Sequence, residues 1–532
     1  MLQWLKTEEG HAEHPVRDPA SAAKLLAGMR AADPLTVLDE LSGWLDTFKG
    51  TPDQDPKVRS EVLSLIQEAS DAHLSALLTR LIAQPTGKPE PRAPSWKTIT
   101  SYLTALTGAL YASARVLLKE GPADAARCLH ACRMLAKVHL VRYLGVPPKL
   151  WRLAYAIHQD AEKADCAATP VRLYASHKTT TTVTQELLRL LMLQSSAPEM
   201  MAPEQIEVAD RVIGQLGGDF TLRARGVADN PFCFDSSSER PPHRGAGAPA
   251  DPNSAVRYFG AGTGFDALER LYKQLATSKT VEIRALGALG RDIAPHAQIS
   301  AIRHLLAFWA ASCPYTSPER SPATGELQVI HRYAQVWQQL SHARSARTEL
   351  ALAEDGDGAP GALETWILQD TGGNELGADI PQSFGDWARC GSVVGVAMNG
   401  SDEYWVGMIR SMHAEPGGQL HANMAILSQD PQTVQLRALI EKGEEHAYSE
   451  QAARQFAFNG VRAIILSDGA AATQKPNLLL PPESWKVGRV YEATVEGAVR
   501  YLRASGKRHH SAAHYLSDEH HGRQRARRAG RP

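Results

Sequence analysis

Near Pro322 the spacing of apolar residues changes: before it they recur every three or four positions, after it they alternate. No single regular element accommodates both periods, so the switch separates a helical front from a β-rich back. At 532 residues the chain is also too long for one core. The fold class expected is α+β and multidomain, with an N-terminal all-α helical bundle or irregular solenoid followed by a small antiparallel β-barrel.

The helical part announces itself through local signals. Asp18-Pro19 and Asp33-Pro34 each place a capping carboxylate before a proline suited to the first helical turn. Leu35, Leu38, Leu41 and Leu45 then form a stripe at helical spacing, and Val62, Ile66, Leu74, Leu77, Leu78 and Leu81 form another. The proline-rich run from Gln84 to Pro94 breaks the pattern. Helices are expected over Trp96–Leu118, Ala123–Leu144, Pro148–Glu162, Thr179–Leu193 and Pro203–Leu216. Short links between them favour packed neighbours, and no fixed period marks a repeat array. The isolated histidines His73, His130, His139 and His158, and Trp96, Tyr143, Trp151 and Tyr155, read as packed or surface side chains rather than ligands.

Composition sets the remaining boundaries. The expected organisation is a helical domain over 1–225, a Pro/Ser/Gly-rich linker over 226–255 and a mixed connecting segment over 256–315. The connecting segment holds an expected strand at Thr280–Leu286. A β-barrel follows over 316–442, built from runs such as ALETWILQD, GSVVGVAMN, EYWVGMIRSMH, QLHANMAILSQ and TVQLRALI. A β-rich companion segment covers 443–505, and a disordered basic tail covers 506–532.

Charge and cysteine usage exclude more than they assign. With 57 basic and 58 acidic residues, no global field favours nucleic acid or an anionic membrane. Weak nucleic-acid contact is conceivable only through the tail, where Lys507, Arg508, His509 and His510 precede the terminal arginines. The six cysteines contain no C-x-x-C pair, which favours reduced thiols over a disulfide or zinc framework. The N-terminus lacks the apolar run of a signal peptide, and no stretch is apolar for long enough to span a membrane. A cytoplasmic protein is expected.

The order of elements in the back part resembles the PilZ family: an arginine, then WILQDTGGNELGA, GSVVGVAMN, EYWVGMIRSMH and QLHANMAILS, over about Arg320 to Leu439. The resemblance implies a small barrel and a bacterial receptor for cyclic di-GMP. That family reads its ligand with R-x-x-x-R ahead of the barrel and D/N-x-S-x-x-G on an early strand. Guanidiniums grip phosphate and stack on guanine, while short polar groups hydrogen-bond it. Carried over by position, Arg320 would clamp phosphate, and Asp370 with Asn374 would meet guanine. The sequence departs from the pattern at Thr324, where the second arginine would stand, at Gly372 in place of the serine, and at Glu375 in place of the glycine. Arg344 and Arg347 are one residue too close together to substitute for the pair.

A second candidate is Gly260-Ala261-Gly262-Thr263-Gly264, with Glu282 about twenty residues on. A dinucleotide- or methyl-donor-binding loop would need it to join a parallel strand to a helix. No nucleophile elbow, H-E-x-x-H or Walker loop is present.

These observations point to a non-enzymatic regulatory protein, with no cofactor, whose PilZ-like barrel would answer cyclic di-GMP and whose helical domain would dock a protein partner. A nucleotide-independent adaptor or scaffold is the alternative. A nucleotide- or SAM-binding enzyme built on the Gly260 loop is a weaker one.

Overall fold

A computed structural model of the chain describes residues 16, 18–48, 55–83, 92–176, 178–245, 255–277, 289–290, 292–315, 319–346, 363–381, 387–415, 418–439, 460–467, 477–481, 484, 489–495, 498–503, 508–510 and 515–518. The fold is α+β. It divides into two compact units, Met1–Pro198 with Pro203–Thr316, and Glu199–Ala202 with Ser317–Pro532.

The first unit opens with helices α1 (Pro19–Met29), α2 (Pro34–Thr47), α3 (Pro56–Ile82), α4 (Arg92–Leu117), α5 (Ala123–Leu140), α6 (Pro148–Lys163), α7 (Val183–Gln194) and α8 (Pro203–Leu216). The first three start alike. Asp18, Asp33 and Asp55 accept hydrogen bonds from free amides of the first turn, at 2.9, 3.1 and 2.9 Å, and each precedes a proline. Helix α5 stops before Leu144. Tyr143 turns into the left-handed region (φ 59°) and the Leu144 amide returns to the His139 carbonyl at 3.0 Å. Helix α7 begins at Val183 rather than Thr179, because Thr181 is bridged to Val171 and Thr182 serves as the cap.

Helix α5 is the centre of this unit, packing against α4, α6, α7 and α8. Its position buries charge as well as Cys128, Leu129 and Cys132. Asp124 accepts from the Ser60 and Ser113 hydroxyls (2.9 and 2.5 Å) and from Arg127 (2.6 Å). One turn apart, Arg133 and Lys137 both reach Asp210 of α8, and Lys137 also reaches Glu207 at 2.9 Å. These buried cations are therefore paired, which is the condition for tolerating them.

Strands β1 (Thr221–Arg223), β2 (Phe232–Asp235), β3 (His243–Arg244) and β4 (Val256–Gly260) form an antiparallel sheet in the order β1-β4-β2-β3, and helices α9 (Gly264–Thr277) and α10 (Pro295–Trp309) follow. The linker expected over 226–255 is thus corrected, since it supplies two strands. Its Pro/Ser/Gly composition masked the run Phe232-Cys233-Phe234, all buried. Phe234 stacks on Tyr155 of α6 at 4.8 Å, and Tyr155 on Trp151 at 6.1 Å, so the aromatic residues of α6 are core. The strand expected at Thr280–Leu286 lies outside the described residues.

The titratable groups of this unit give it a signed response to pH. Burial pushes His130 and His158 down, and His304 down to about 4. Burial works to raise Glu186 and Glu207, but neighbouring His130, Arg189 and Arg133, and Lys137 and Arg211, outweigh it and hold each carboxyl at about 2. All these folded values lie below the unfolded ones, so the unfolded chain takes up protons first as pH falls. The stability contributed by these five groups is full above the ordinary histidine value and is lost from there toward about 4, then further toward about 2. In the second unit, burial raises Glu364, so that carboxyl contributes most below its unfolded value and loses its contribution as pH rises. Calorimetric scans at pH 7 and pH 5 are expected to show the helical transition moving down. A helical transition that does not move would contradict this assignment.

The second unit begins with a closed antiparallel barrel. Its strands are β5 (Ser321–Ile330), β6 (Leu363–Gly372), β7 (Glu375–Ile380), β8 (Val393–Met398), β9 (Trp405–Ala414) and β10 (Leu420–Ser428), in the order β10-β7-β6-β5-β8-β9. Helix α11 (Tyr333–Ala346) follows β5 directly. WILQDTGGNELGA, one run in sequence, folds into the β6–β7 hairpin, turning at Gly373-Asn374 where Gly373 has φ 58°. Inside the barrel lie Trp366, Leu368, Ala378, Met412 and Met424.

A seven-stranded sheet follows: β11 (Asp430–Leu439), β12 (Val461–Ser467), β13 (Asn477–Leu480), β14 (Val490–Val495), β15 (Ala498–Arg503), β16 (Arg508–His510) and β17 (Tyr515–Asp518), in the order β15-β14-β11-β12-β13-β17-β16. Two expectations are corrected here. The TVQLRALI strand, placed with the barrel, pairs instead with β12 and β14. The tail expected to be disordered from 506 supplies β16 and β17, and β17 covers what would otherwise be the open edge of β13. Strand β12 is buried on both faces. Val461, Ala463 and Ile465 join the core of its own sheet, while Ile464 and Leu466 pack with Ile330, Val393 and Val406 of the barrel and Val336 and Leu340 of α11.

Candidate functional site

The residues singled out by the PilZ resemblance sit on the wall of the barrel formed by β6, β7 and β10. The β5–β6 pairing sets Pro322 opposite Asp370, which brings the preceding Arg320 to the Asp370 side chain. A bulge between Leu368 and Asp370 lets Gln369 and Asp370 both turn away from the interior. The Asp370 carboxylate then leans over β7, where Gly377 leaves room; a Cβ at Gly377 would collide with it.

Arg320 is already engaged. One terminal nitrogen donates to Asp370, and the other donates to Glu375 at 2.8 Å. The Glu375 side chain is only 11% exposed, against 23% for Arg320 and 24% for Asp370. Beyond Asp370 a polar row continues across the sheet. Asp379 on β7 is directly opposite His421 on β10, which is directly opposite His413 on β9. His421 Nδ1 lies 2.8 Å from Asp379 and its Nε2 lies 3.9 Å from Asp370, while Gln369 donates to Asp379 at 2.7 Å. The rings of His413 and His421 are 5.0 Å apart, and His413 reaches Glu415 at 2.9 Å. Arg320 thus faces two carboxylates and Asp379 adds a third farther along the row, so Asp370, Glu375 and Asp379 outnumber the one guanidinium and this group is net negative when the histidines are neutral.

Of the three residues expected to meet ligand, Arg320 and Asp370 come together. Asn374 is used elsewhere. Its side-chain amide donates to the Ile426 carbonyl, and its backbone carbonyl accepts from the Ile426 amide at 2.8 Å, tying the β6–β7 turn to β10. Thr324 lies within β5, so the position of the second arginine holds no cation. Arg344 lies in the last turn of α11, and Arg347 falls outside the described residues. Sequence reading did not find Asp379, His421 and Gln369, because the β7–β10 register brings His421 to Asp379 and the bulged β6–β7 pairing brings Gln369 there.

The Gly260 loop has a different architecture from a dinucleotide-binding turn. Strand β4, which feeds it, is antiparallel to both of its neighbours. Its glycines answer to backbone crowding: a Cβ at Gly260 would collide with the Asp229 carbonyl, and one at Gly262 (φ 54°) with the Asp219 carbonyl. Glu282 lies outside the described residues. Among the described residues no group of three or more His, Cys, Asp or Glu side chains is placed to hold a metal ion, and no helix is long and apolar enough to cross a membrane.

Residues 20–226, the helical segment, match the family described as "Cyclic-di-GMP receptor FimW, N-terminal domain". The link to cyclic di-GMP thus enters through the part of the chain that showed no resemblance by inspection, rather than through the barrel. No curated protein and no solved structure matches the chain.

Proposed function

We propose that this protein is a non-enzymatic cyclic di-GMP-responsive regulator, in which the barrel holds the dinucleotide at Arg320 and Asp370 and the helical unit docks a protein partner. The observation that carries the reading is the match of residues 20–226 to the N-terminal domain of a cyclic di-GMP receptor family. A closed barrel with an arginine at its entry supports locating the ligand there. Arg320 would supply two parallel N–H donors to a phosphodiester, a geometry that lysine cannot reproduce. Asp370 would accept from a guanine edge, as a short carboxylate beside a glycine can. Binding would release the Arg320 arm from the β6–β7 hairpin and so bias the protein between two states.

Calorimetric titration of the full chain with cyclic di-GMP tests this, with Arg320→Ala beside the wild type. Saturable binding weakened about tenfold or more in the variant is expected, from the loss of charge-assisted hydrogen bonds. Equal binding by both proteins would move the ligand away from Arg320. Absence of binding would favour a second reading, a nucleotide-independent adaptor. One observation supports that reading: both terminal nitrogens of Arg320 already have carboxylate partners.

A further inference from the structure

Glu375 stands where the resemblance calls for glycine, and its place in the fold gives it a definite role. Its carboxylate contacts Arg320 at 2.8 Å, and Arg320 is its one ion-pair partner among the described residues. Asp370 is held differently. It rests over Gly377 and has His421 Nε2 3.9 Å away, so it keeps a neighbour if Arg320 leaves. Each of the two carboxylates occupies one terminal nitrogen of the guanidinium. A phosphodiester gripped by both terminal nitrogens competes with both carboxylates for the guanidinium, and its binding is favoured when either of them yields. Glu375 has the longer side chain and, among the described residues, no second ion-pair partner, whereas Asp370 has His421 beside it, so Glu375 is the carboxylate whose charge depends on Arg320 alone.

We propose that Glu375 is an internal competitor for Arg320, an autoinhibitory contact that sets the ligand concentration at which the barrel responds. This rests on the reading that the barrel binds cyclic di-GMP at Arg320. The carboxylate imitates the anionic ligand at the same donors, so the two compete for them. It also adds to the negative charge of Asp370 and Asp379, which opposes the approach of a dianionic dinucleotide. The apparent affinity of the site is therefore its intrinsic affinity multiplied by the fraction of molecules in which the contact is broken.

The test is a set of calorimetric titrations of the full chain with cyclic di-GMP. Glu375→Gln keeps the shape and removes the charge, and Glu375→Ala replaces it if the glutamine variant does not fold. Glu415→Gln removes an exposed carboxylate that pairs with His413 and does not touch Arg320, so it reports on net charge alone. Glu375→Gln is expected to tighten binding about tenfold, the scale of one charge-assisted contact at a partly exposed site. Glu415→Gln should stay within about twofold of wild type, and the gain should vanish in Arg320→Ala/Glu375→Gln. Unchanged or weaker binding by Glu375→Gln, with wild-type binding still dependent on Arg320, would overturn the competitor and leave the receptor reading intact. A gain that persists without Arg320 would reduce the effect to general charge and also overturn it. If folded wild type and folded Glu375→Gln both fail to bind, the receptor reading of the barrel falls, and the competitor with it.

Discussion

Replacing Asp210 with alanine is expected to destabilise the helical unit by about 3–5 kcal/mol, the usual cost of stranding buried charge. Asp210 accepts from Lys137 at 2.8 Å and from Arg133, and the three side chains are 7%, 5% and 8% exposed respectively. Without the carboxylate, Lys137 keeps Glu207 at 2.9 Å, but Arg133 is left with the His130 ring at 3.4 Å. Neither α5 nor α8 can yield enough to hydrate a guanidinium without opening the centre of the unit. Asp210→Asn keeps the volume and one acceptor, so it should cost distinctly less. Urea unfolding followed by far-ultraviolet circular dichroism measures both. A loss below about 1 kcal/mol for the alanine variant, the range of exposed pairs, would mean that water reaches the cluster.

In the barrel the largest effect is expected from Trp366→Ala, again about 3–5 kcal/mol, here from an unfilled cavity. Trp366 is fully buried and stacks on Trp387 at 5.8 Å. Its indole N–H also donates to Glu364 at 2.9 Å, and Trp387 donates to the other oxygen of that carboxylate at 2.6 Å. Alanine therefore removes packing and takes one donor from a buried carboxyl. Trp366→Phe separates the two contributions, since it restores most of the volume and none of the hydrogen bond. Guanidinium unfolding followed by near-ultraviolet circular dichroism should place phenylalanine between wild type and alanine. If phenylalanine is as costly as alanine, the Glu364 hydrogen bond, rather than the cavity, dominates.

What could be read from the sequence was what neighbours along the chain decide. Asp18-Pro19 and Asp33-Pro34 start helices because a cap and a fixed φ act within one turn, and the structure repeats the device at Asp55-Pro56. The strands over Trp405–Ala414 and Leu420–Ser428 were legible by alternation. Partners were harder. TVQLRALI has the same alternation whether it closes the barrel or opens the next sheet, and only pairing with β12 and β14 decides. The resemblance gave Arg320 and Asp370 separate parts of a ligand, and their pairing with each other is seen only in the fold. The use of Asn374 to fasten a turn, and the gathering of Asp379, His421 and Gln369, depend on the registers of β7 with β10 and with β6 and leave no trace in local spacing.

Strand β12 gives the second unit a property that sheet order alone does not convey. Its alternate residues serve two cores, so the outer wall of the barrel at Ile330, Val393 and Val406 is sealed by residues encoded some sixty to a hundred and thirty positions downstream. A fragment cut at residue 442 would carry every barrel strand and still present that wall to water. During synthesis the barrel strands emerge before their cover, and the finished wall has to wait for β12 and β13. The barrel and its companion sheet should accordingly resist protease as one body, with a single cleavage-resistant core rather than two separable ones.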